Sequence, residues 1–317
     1  MQHAKAGKPQ VTESAEKHWQ TKLNLISKHA GIDRKFKFNN LIHHLNEQNL
    51  TECFLSLAKD RASGVDDVTW EEYEKQLVYN LHQLVQRMKN NAYHPLPAKR
   101  VYILKSNGKR RPLGIPALED KIVQEGINRI LTAIHEPCFL DTSYGFRKGR
   151  GCHGALETLG TQCIKKPVNH IIDADIEGFF EHVDHEWMMK MLGERIEDER
   201  FLKLIRRFLK AGYMENGEWQ PTVEGTPQGG IISPVLSNIY LHYVVNIGRE
   251  PKDGKAYTRL LDNKVRNGTG TALQRRFINN AGLTSRILSN RELYDRHIPC
   301  PQTSYKCRHI HRTPRRC

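Results

Sequence analysis

No run of eighteen or more apolar residues interrupts the 317-residue sequence, so nothing in it reads as a membrane span. Met1 to Gln10 has no apolar stretch behind its charges and does not read as a secretory signal. The cysteines number seven and are scattered, at Cys53, Cys138, Cys152, Cys163, Cys300, Cys307 and Cys317. That pattern argues against a disulfide framework and for a reducing, cytoplasmic compartment, either the bacterial cytosol or an organelle equivalent. Internal repeats are also missing.

Acidic residues are scarce at one end only. From Asn246 to Cys317 there are 16 Lys and Arg against 5 Asp and Glu, a net charge of +11. Residues 1–245 hold 33 basic and 30 acidic residues, a net of +3, so the total of +14 sits almost wholly in the last 72 positions. A strongly basic protein invites a nucleic-acid reading. Here the bulk charge does not carry that reading for the periodic part of the chain, and local clusters must.

Residues 1–50 form a polar N-terminal extension without a clear period, with a loose stretch over 1–35 and a short helix near Asn40–Asn46. Glu52–Lys59 predicts another. Thr69 followed by Glu72 is a capping box, and Tyr73, Leu77, Leu81, Leu84, Val85 and Met88 behind it keep helical spacing up to His94-Pro95. Arg100–Lys105 and Arg110–Ile115 flank Asn107-Gly108 and predict a β-hairpin. Ile122 to Ile134 predicts a helix, His170–Ile176 a mostly buried strand, and Asp184 a helix cap. Phe201 to Leu209 predicts a further helix and Asn216-Gly217 a second hairpin. Ser233 reads as an N-cap with Pro234 at the first helical position. Helices and strands mix without βαβ alternation, which gives an α+β class. After Asn246 the periodic signal fades.

Four segments carry chemistry. Asp175 ends a strand before Ile176-Glu177-Gly178-Phe179-Phe180, where a carboxylate beside a backbone carbonyl suits a hard cation; alone, the segment reads sooner as a solvated strand-end aspartate with two core phenylalanines. Gly225-Thr226-Pro227-Gln228-Gly229-Gly230 leads through Ile231-Ile232 into Ser233-Pro234, a fixed, close-approach turn before a helix that would aim Gln228 at whatever lies above it. The hairpin from Lys99 to Arg111 carries Lys99, Arg100, Lys105, Lys109, Arg110 and Arg111 with no acid, either a phosphate clamp or a protected edge. Tyr144-Gly145-Phe146-Arg147-Lys148-Gly149-Arg150 interleaves cations and glycine behind two aromatics, which suits a nucleic-acid backbone or a basic surface loop. Arg200, Lys203, Arg206, Arg207 and Lys210 read as a solvated helix face.

Their order narrows the choice. Arg-Pro-Leu-Gly-Ile-Pro at 111–116, Tyr-Gly-Phe-Arg at 144–147, Asp-Ile-Glu-Gly-Phe-Phe at 175–180 and Gly-Thr-Pro-Gln-Gly-Gly with Ile-Ser-Pro at 225–234 together resemble the reverse transcriptases encoded by group II introns. Ala62-Ser63-Gly64-Val65-Asp66 is similar to the early block of that family. The resemblance covers residues 51–245 and implies right-hand polymerase fingers and a partial palm. It implies RNA-directed DNA synthesis with maturase-type intron RNA binding, on RNA, primer DNA and deoxynucleoside triphosphates, with Mg²⁺ at a two-ion site. By position, Asp175 would be catalytic and hold the metals together with the Ile176 carbonyl. Phe180 would sense the sugar 2′ position, Gln228 would line the nucleotide pocket, and Lys105 and Arg111 would hold the triphosphate. Arg100, Arg147, Lys148 and Arg150 would meet nucleic acid.

The family's next block, Tyr-Ala-Asp-Asp, supplies the remaining carboxylates. After Tyr240 the sequence offers Gly254-Lys255-Ala256-Tyr257 and then Thr258-Arg259-Leu260-Leu261-Asp262, without an adjacent pair. Catalysis by this chain is therefore expected to be impaired. Residues 246–317 read as a basic tail foreign to the family, and a palm cut there would leave an unpaired sheet edge. The spacing of Cys300, Cys307, His309, His311 and Cys317 matches no standard zinc site. The alternative is an RNA-binding remnant without synthesis, or a decayed gene product.

Overall fold

The chain runs α1 (Glu13–Ile32), α2 (Glu47–Ser56), α3 (Trp70–Lys75), α4 (Leu77–Lys89), β1 (Ala98–Leu104), β2 (Arg110–Ile115), α5 (Leu118–His135), α6 (Cys152–Lys165), β3 (His170–Ile176), α7 (His185–Gly193), α8 (Glu199–Leu209), β4 (Tyr213–Glu215), β5 (Glu218–Gln220), α9 (Ser233–Leu241) and β6 (Leu283–Ser289). This computed structural model describes residues 13–104, 108, 110–165, 170–176, 178–226, 229–246 and 283–289. Helices and strands mix, and the larger sheet is small, with strand order β2-β1-β4-β5.

The core is built around α5. None of its residues is fully exposed, and Ile122, Val123, Ile127, Ile130, Leu131 and Ile134 are completely buried. A helix apolar on most sides must be packed on most sides, and α1, α2 and α9 do so. Gly126 lets one neighbour come close, because a Cβ there would lie 2.6 Å from Leu45 Cδ2.

The N-terminal stretch differs from expectation. Residues 13–32 form a full helix, with Trp19, Leu23 and Ala30 buried and Ile26 packed against the core. Those four positions are spaced by four, three and four, a helical stripe diluted by polar neighbours. Arg195 holds the end of this helix by donating to the Ala30 and Arg34 carbonyls at 3.2 and 2.7 Å.

The capping box at Thr69 and Glu72 is present. The helix behind it breaks at Gln76 into α3 and α4, yet Tyr73, Leu77, Leu81, Leu84, Val85 and Met88 all reach the core as their spacing requires. β1 and β2 pair antiparallel from Lys99↔Ile115 to Leu104↔Arg110. The residues Lys105 and Asn107 of the expected turn lie outside the described residues. At Asn216-Gly217 both positions have positive φ, 52° and 84°, and join β4 to β5 in the tight turn that such a pair favours.

α9 begins at Ser233, one residue earlier than expected, so Ser233 is its first residue rather than its cap, and the N-cap position Ile232 has no side-chain cap. A serine at the first helical position no longer has its hydroxyl aimed at the third amide, and another group must serve. β3 has an antiparallel neighbour in β6, with Asp175 opposite Thr284. One edge of the strand expected to be bare is therefore covered by a segment of the tail. The remaining tail readings, the cysteine and histidine cluster among them, fall outside the described residues.

Asp120 on α5 ties the entry to β1. Its buried carboxylate accepts from the Tyr93 hydroxyl and from the Leu96 amide, the latter at 2.9 Å. Burial outweighs those hydrogen bonds and pushes its pKa from 3.8 to about 7. His135, also buried, is pushed down from 6.5 to about 3, first by burial and then by Arg195 and His242. Between pH 4 and 7 the folded state holds the Asp120 proton more tightly than the unfolded chain, so this group lowers stability as pH rises. His135 acts oppositely below pH 6.5, because the unfolded chain binds its proton first. Comparing wild type with Asp120→Asn isolates the aspartate. The variant's urea midpoint, relative to wild type, should rise from pH 4 to 7 and level off above; a flat difference refutes the assignment.

Candidate nucleotide and nucleic-acid site

Two glycine-dependent contacts and one side-chain hydrogen bond bring the predicted segments together. Gly225 has φ of 87°, and a Cβ there would lie 2.7 Å from the carbonyl oxygens of Phe180 and Glu181, so only glycine fits without displacement. Its amide donates to the Val183 carbonyl at 2.8 Å, and the Thr226 amide donates to the Phe180 carbonyl at 2.7 Å. His185, buried on α7, lies with Nε2 2.7 Å from the Gly225 carbonyl oxygen, which can only accept, so Nε2 carries the hydrogen. The Asp-Ile-Glu-Gly-Phe-Phe and Gly-Thr-Pro-Gln-Gly-Gly segments are thus joined backbone to backbone.

Gly229, with φ of 112°, joins the same loop to β2, since a Cβ there would sit 2.4 Å from the Gly114 carbonyl oxygen. The fourth segment arrives through α9. Asn238 Nδ2 donates to the Gly145 carbonyl at 2.9 Å, and the Phe146 ring meets Phe180 edge-on at 6.3 Å and 89°.

Two clefts flank β2 and share Gly114. One, of about 270 Å³, is walled by Ala98, Arg100, Pro112, Phe180, Tyr213 and Thr226, with Glu181 and Glu224 at its margin. The other, of about 500 Å³, is walled by Arg61, Trp70, Leu113, Lys121, Gly229 and Ile231. Strand alternation explains the division. Arg100 pairs with Gly114 and faces the smaller cleft, while Arg111 shares a strand face with Leu113 and Ile115, which line the larger.

The predicted residues are placed unequally. Asp175 lies in β3, one residue before its end; its side chain is not among the described groups. Ile176 closes that strand, half-buried against the core. Phe180 is half-buried at the mouth of the smaller cleft, and Arg111 is exposed. Lys105 and Gln228 lie outside the described residues. Arg100 stacks over the Tyr213 ring, 3.6 Å from its centroid, with Nε buried and unpaired. Lys148 is exposed. Arg150 contacts the Asp141 carboxylate and carbonyl at 2.8 and 2.6 Å.

Arg147 differs in kind from its basic neighbours. It is 7% exposed, forks onto Glu136 through Nε and Nη2 at 2.9 and 2.7 Å, and donates to the Leu140 and Ser143 carbonyls at 2.7 and 2.6 Å. The basic pattern suggested an outward-facing cation. The geometry gives an internal brace whose donors are turned toward its own loop.

Two buried residues essential to the arrangement escaped the sequence reading. His185 follows the helix cap Asp184 and looked like an ordinary first-turn residue. Gln124 is a polar side chain in an aliphatic stretch of α5, and its Oε1 accepts from the Ile231 amide at 2.8 Å. A lone buried amide signals that a partner exists, but that partner lies 107 positions away.

Asp175 with the Ile176 carbonyl is a donor set with a single carboxylate. Among the described residues no three His, Cys, Asp or Glu side chains gather around a common point. Asp66-Asp67, the one adjacent aspartate pair in the sequence, lies in the turn before α3, where Asp67 bonds Lys99 Nζ at 2.8 Å. One carboxylate with one carbonyl is fewer donors than a two-ion site calls for.

The chain belongs to the reverse transcriptase (RNA-dependent DNA polymerase) family, whose model matches residues 103–262. Within that family its similarity is to group II intron-encoded reverse transcriptases and maturases. It is 42% identical over 180 residues to the group II intron-encoded protein LtrA of Lactococcus lactis subsp. cremoris, covering 56% of this chain and 29% of that protein. It is 39% identical over 221 residues to protein YkfC of Escherichia coli strain K12, covering 67% and 57%. A 91 kDa protein in the cob intron of Schizosaccharomyces pombe is 40% identical over 162 residues, covering 51% and 20%. The chain thus spans less than two thirds of each of these relatives. Mg²⁺ is the metal this family generally uses, and no described helix is long and apolar enough to cross a membrane.

Arg147 and Lys148 separate by their contacts. Arg147→Ala should lower stability by about 2 kcal/mol, because it strands Glu136 and two loop carbonyls. Lys148→Ala should change stability by less than about 0.5 kcal/mol. Chemical unfolding of both variants checks this, and equal effects would contradict the brace.

Proposed function

We propose that this chain is the fingers and part of the palm of a group II intron RNA-directed DNA polymerase. In this reading it holds template or intron RNA, primer DNA and a deoxynucleoside triphosphate. The observation that carries the reading is the bond from the Thr226 amide to the Phe180 carbonyl, at 2.7 Å, which joins two motifs whose roles meet at one nucleotide. The nucleotide's base pair would lie against Leu113 and Gly229 and its sugar toward Phe180. Gln228 would close the pocket, and Lys105 and Arg111 would take the triphosphate. Arg100, Lys148 and Arg150 would steer the nucleic-acid backbone, with Arg147 bracing the loop that presents two of them.

The reaction such a site serves is attack of a primer 3′-hydroxyl on the α-phosphorus, forming a new P–O bond and releasing pyrophosphate. Asp175 and the Ile176 carbonyl would be metal ligands. A single carboxylate falls short of what two divalent ions require, which favours a second reading in which the chain holds RNA without copying it.

Two assays on the purified chain separate the readings. Filter binding to a structured intron RNA should show retention that weakens steeply with salt. Primer extension with Mg²⁺ should show little or no synthesis. Robust synthesis overturns the impaired-site reading, and loss of both activities overturns the proposed function itself.

A further inference from the structure

We infer that Gln124 is a positioning residue for the nucleotide pocket, holding its glycine-rich wall from behind. This rests on the function proposed above and assigns a role to a residue outside the four motifs. Gln124 is 4% exposed, and a buried amide is costly unless it is bonded. Its Oε1 accepts from the Ile231 amide at 2.8 Å and lies 3.5 Å from the Ile232 amide. These amides immediately precede α9, whose N-cap residue supplies no side-chain acceptor. Gln124 therefore pins, from α5, the two residues that lead into α9.

The consequence lies in the loop between its two ends. At the front, Gly225 and Thr226 are fixed by Val183, Phe180 and His185. At the back, Gln124 holds Ile231. Between them Gly229 rests against the Gly114 carbonyl with no space for a methyl group. A chain pinned at both ends and pressed on a strand in the middle has little freedom in height above that strand. That height sets the width of both clefts beside β2. Releasing the back anchor frees Gly229 and Gly230 to lift, while the apolar contacts of α9 with α5 and α7 persist. Pocket geometry should then suffer more than folding.

The test uses the full chain and three variants. Gln124→Met keeps the shape without an acceptor. Gln124→Glu keeps an acceptor and places a negative charge at a helix start, where it is tolerated. Gln124→Asn shortens the reach by one methylene and serves if the methionine variant does not fold. Hydrogen exchange of a peptide covering 229–236 reads the anchor directly. It should be faster in the Met or Asn variant, and in the Glu variant it should match wild type. Binding of a fluorescent deoxynucleoside triphosphate with Mg²⁺ and an annealed RNA–DNA duplex reads the pocket. The Met or Asn variant should bind about tenfold more weakly, the size of one buried hydrogen bond, and the Glu variant should stay within about threefold of wild type. Wild-type exchange and affinity in Gln124→Met overturn the inference and leave the proposed function standing. A wild-type chain that binds no nucleotide overturns the proposed function, and exchange alone then decides whether the anchor exists.

Discussion

The structure depends on one helix, α5, whose apolar residues are sealed from water on most sides. α5 is enclosed by α1, α2 and α9, and a buried helix can keep a polar side chain only by bonding it to a neighbour. Asp120 takes the Leu96 amide and fixes where the chain enters β1. Gln124 takes the Ile231 amide and fixes where the glycine-rich loop ends. Arg129, from the same helix, bonds Glu125 and Ser56 at 2.7 and 2.8 Å and lies over the Trp19 ring, which ties α2 and α1 to α5. Satisfying buried groups therefore also locates the two walls of the candidate site, β2 and the 225–232 loop, relative to one rigid reference.

This explains what could be read in advance. The elements with a strong local period, α4, α5, α7, α8 and the 213–220 hairpin, stand where their patterns put them. α1 was missed although Trp19, Leu23, Ile26 and Ala30 keep helical spacing, because charged and polar residues between them dilute the stripe. The break at Gln76 and the start of α9 at Ser233 were missed for a different reason. Local capping rules describe an isolated helix end, and the chain entering α9 is held instead at Ile231 by a side chain 107 positions earlier.

The candidate site divides in the same way. The order of its segments is written in the chain, because each carries residues that few other structures need at that spacing. Their meeting is not, since it runs through backbone groups common to every residue: the carbonyls of Phe180 and Gly114 and the amides of Thr226 and Ile231. Only the glycines hint at it. Gly225 and Gly229 occupy positive φ, each with no space for a side chain, and both face a carbonyl of another segment. Arg147 shows the opposite failing. A cation among cations reads as surface, and only its contacts with Glu136, Leu140 and Ser143 show that it faces inward.

In the near-neutral first 245 residues several cations are matched locally: Glu136, Glu125, Asp141 and Asp67 pair with Arg147, Arg129, Arg150 and Lys99. Carboxylates committed to arginines and lysines in this way organise loops and are not available to divalent ions. Asp175 is the acid the sequence order assigns to the metal, and one acid neutralises a quarter of the charge that two divalent ions bring. On the function proposed above, that shortfall favours positioning nucleotide and RNA over joining them.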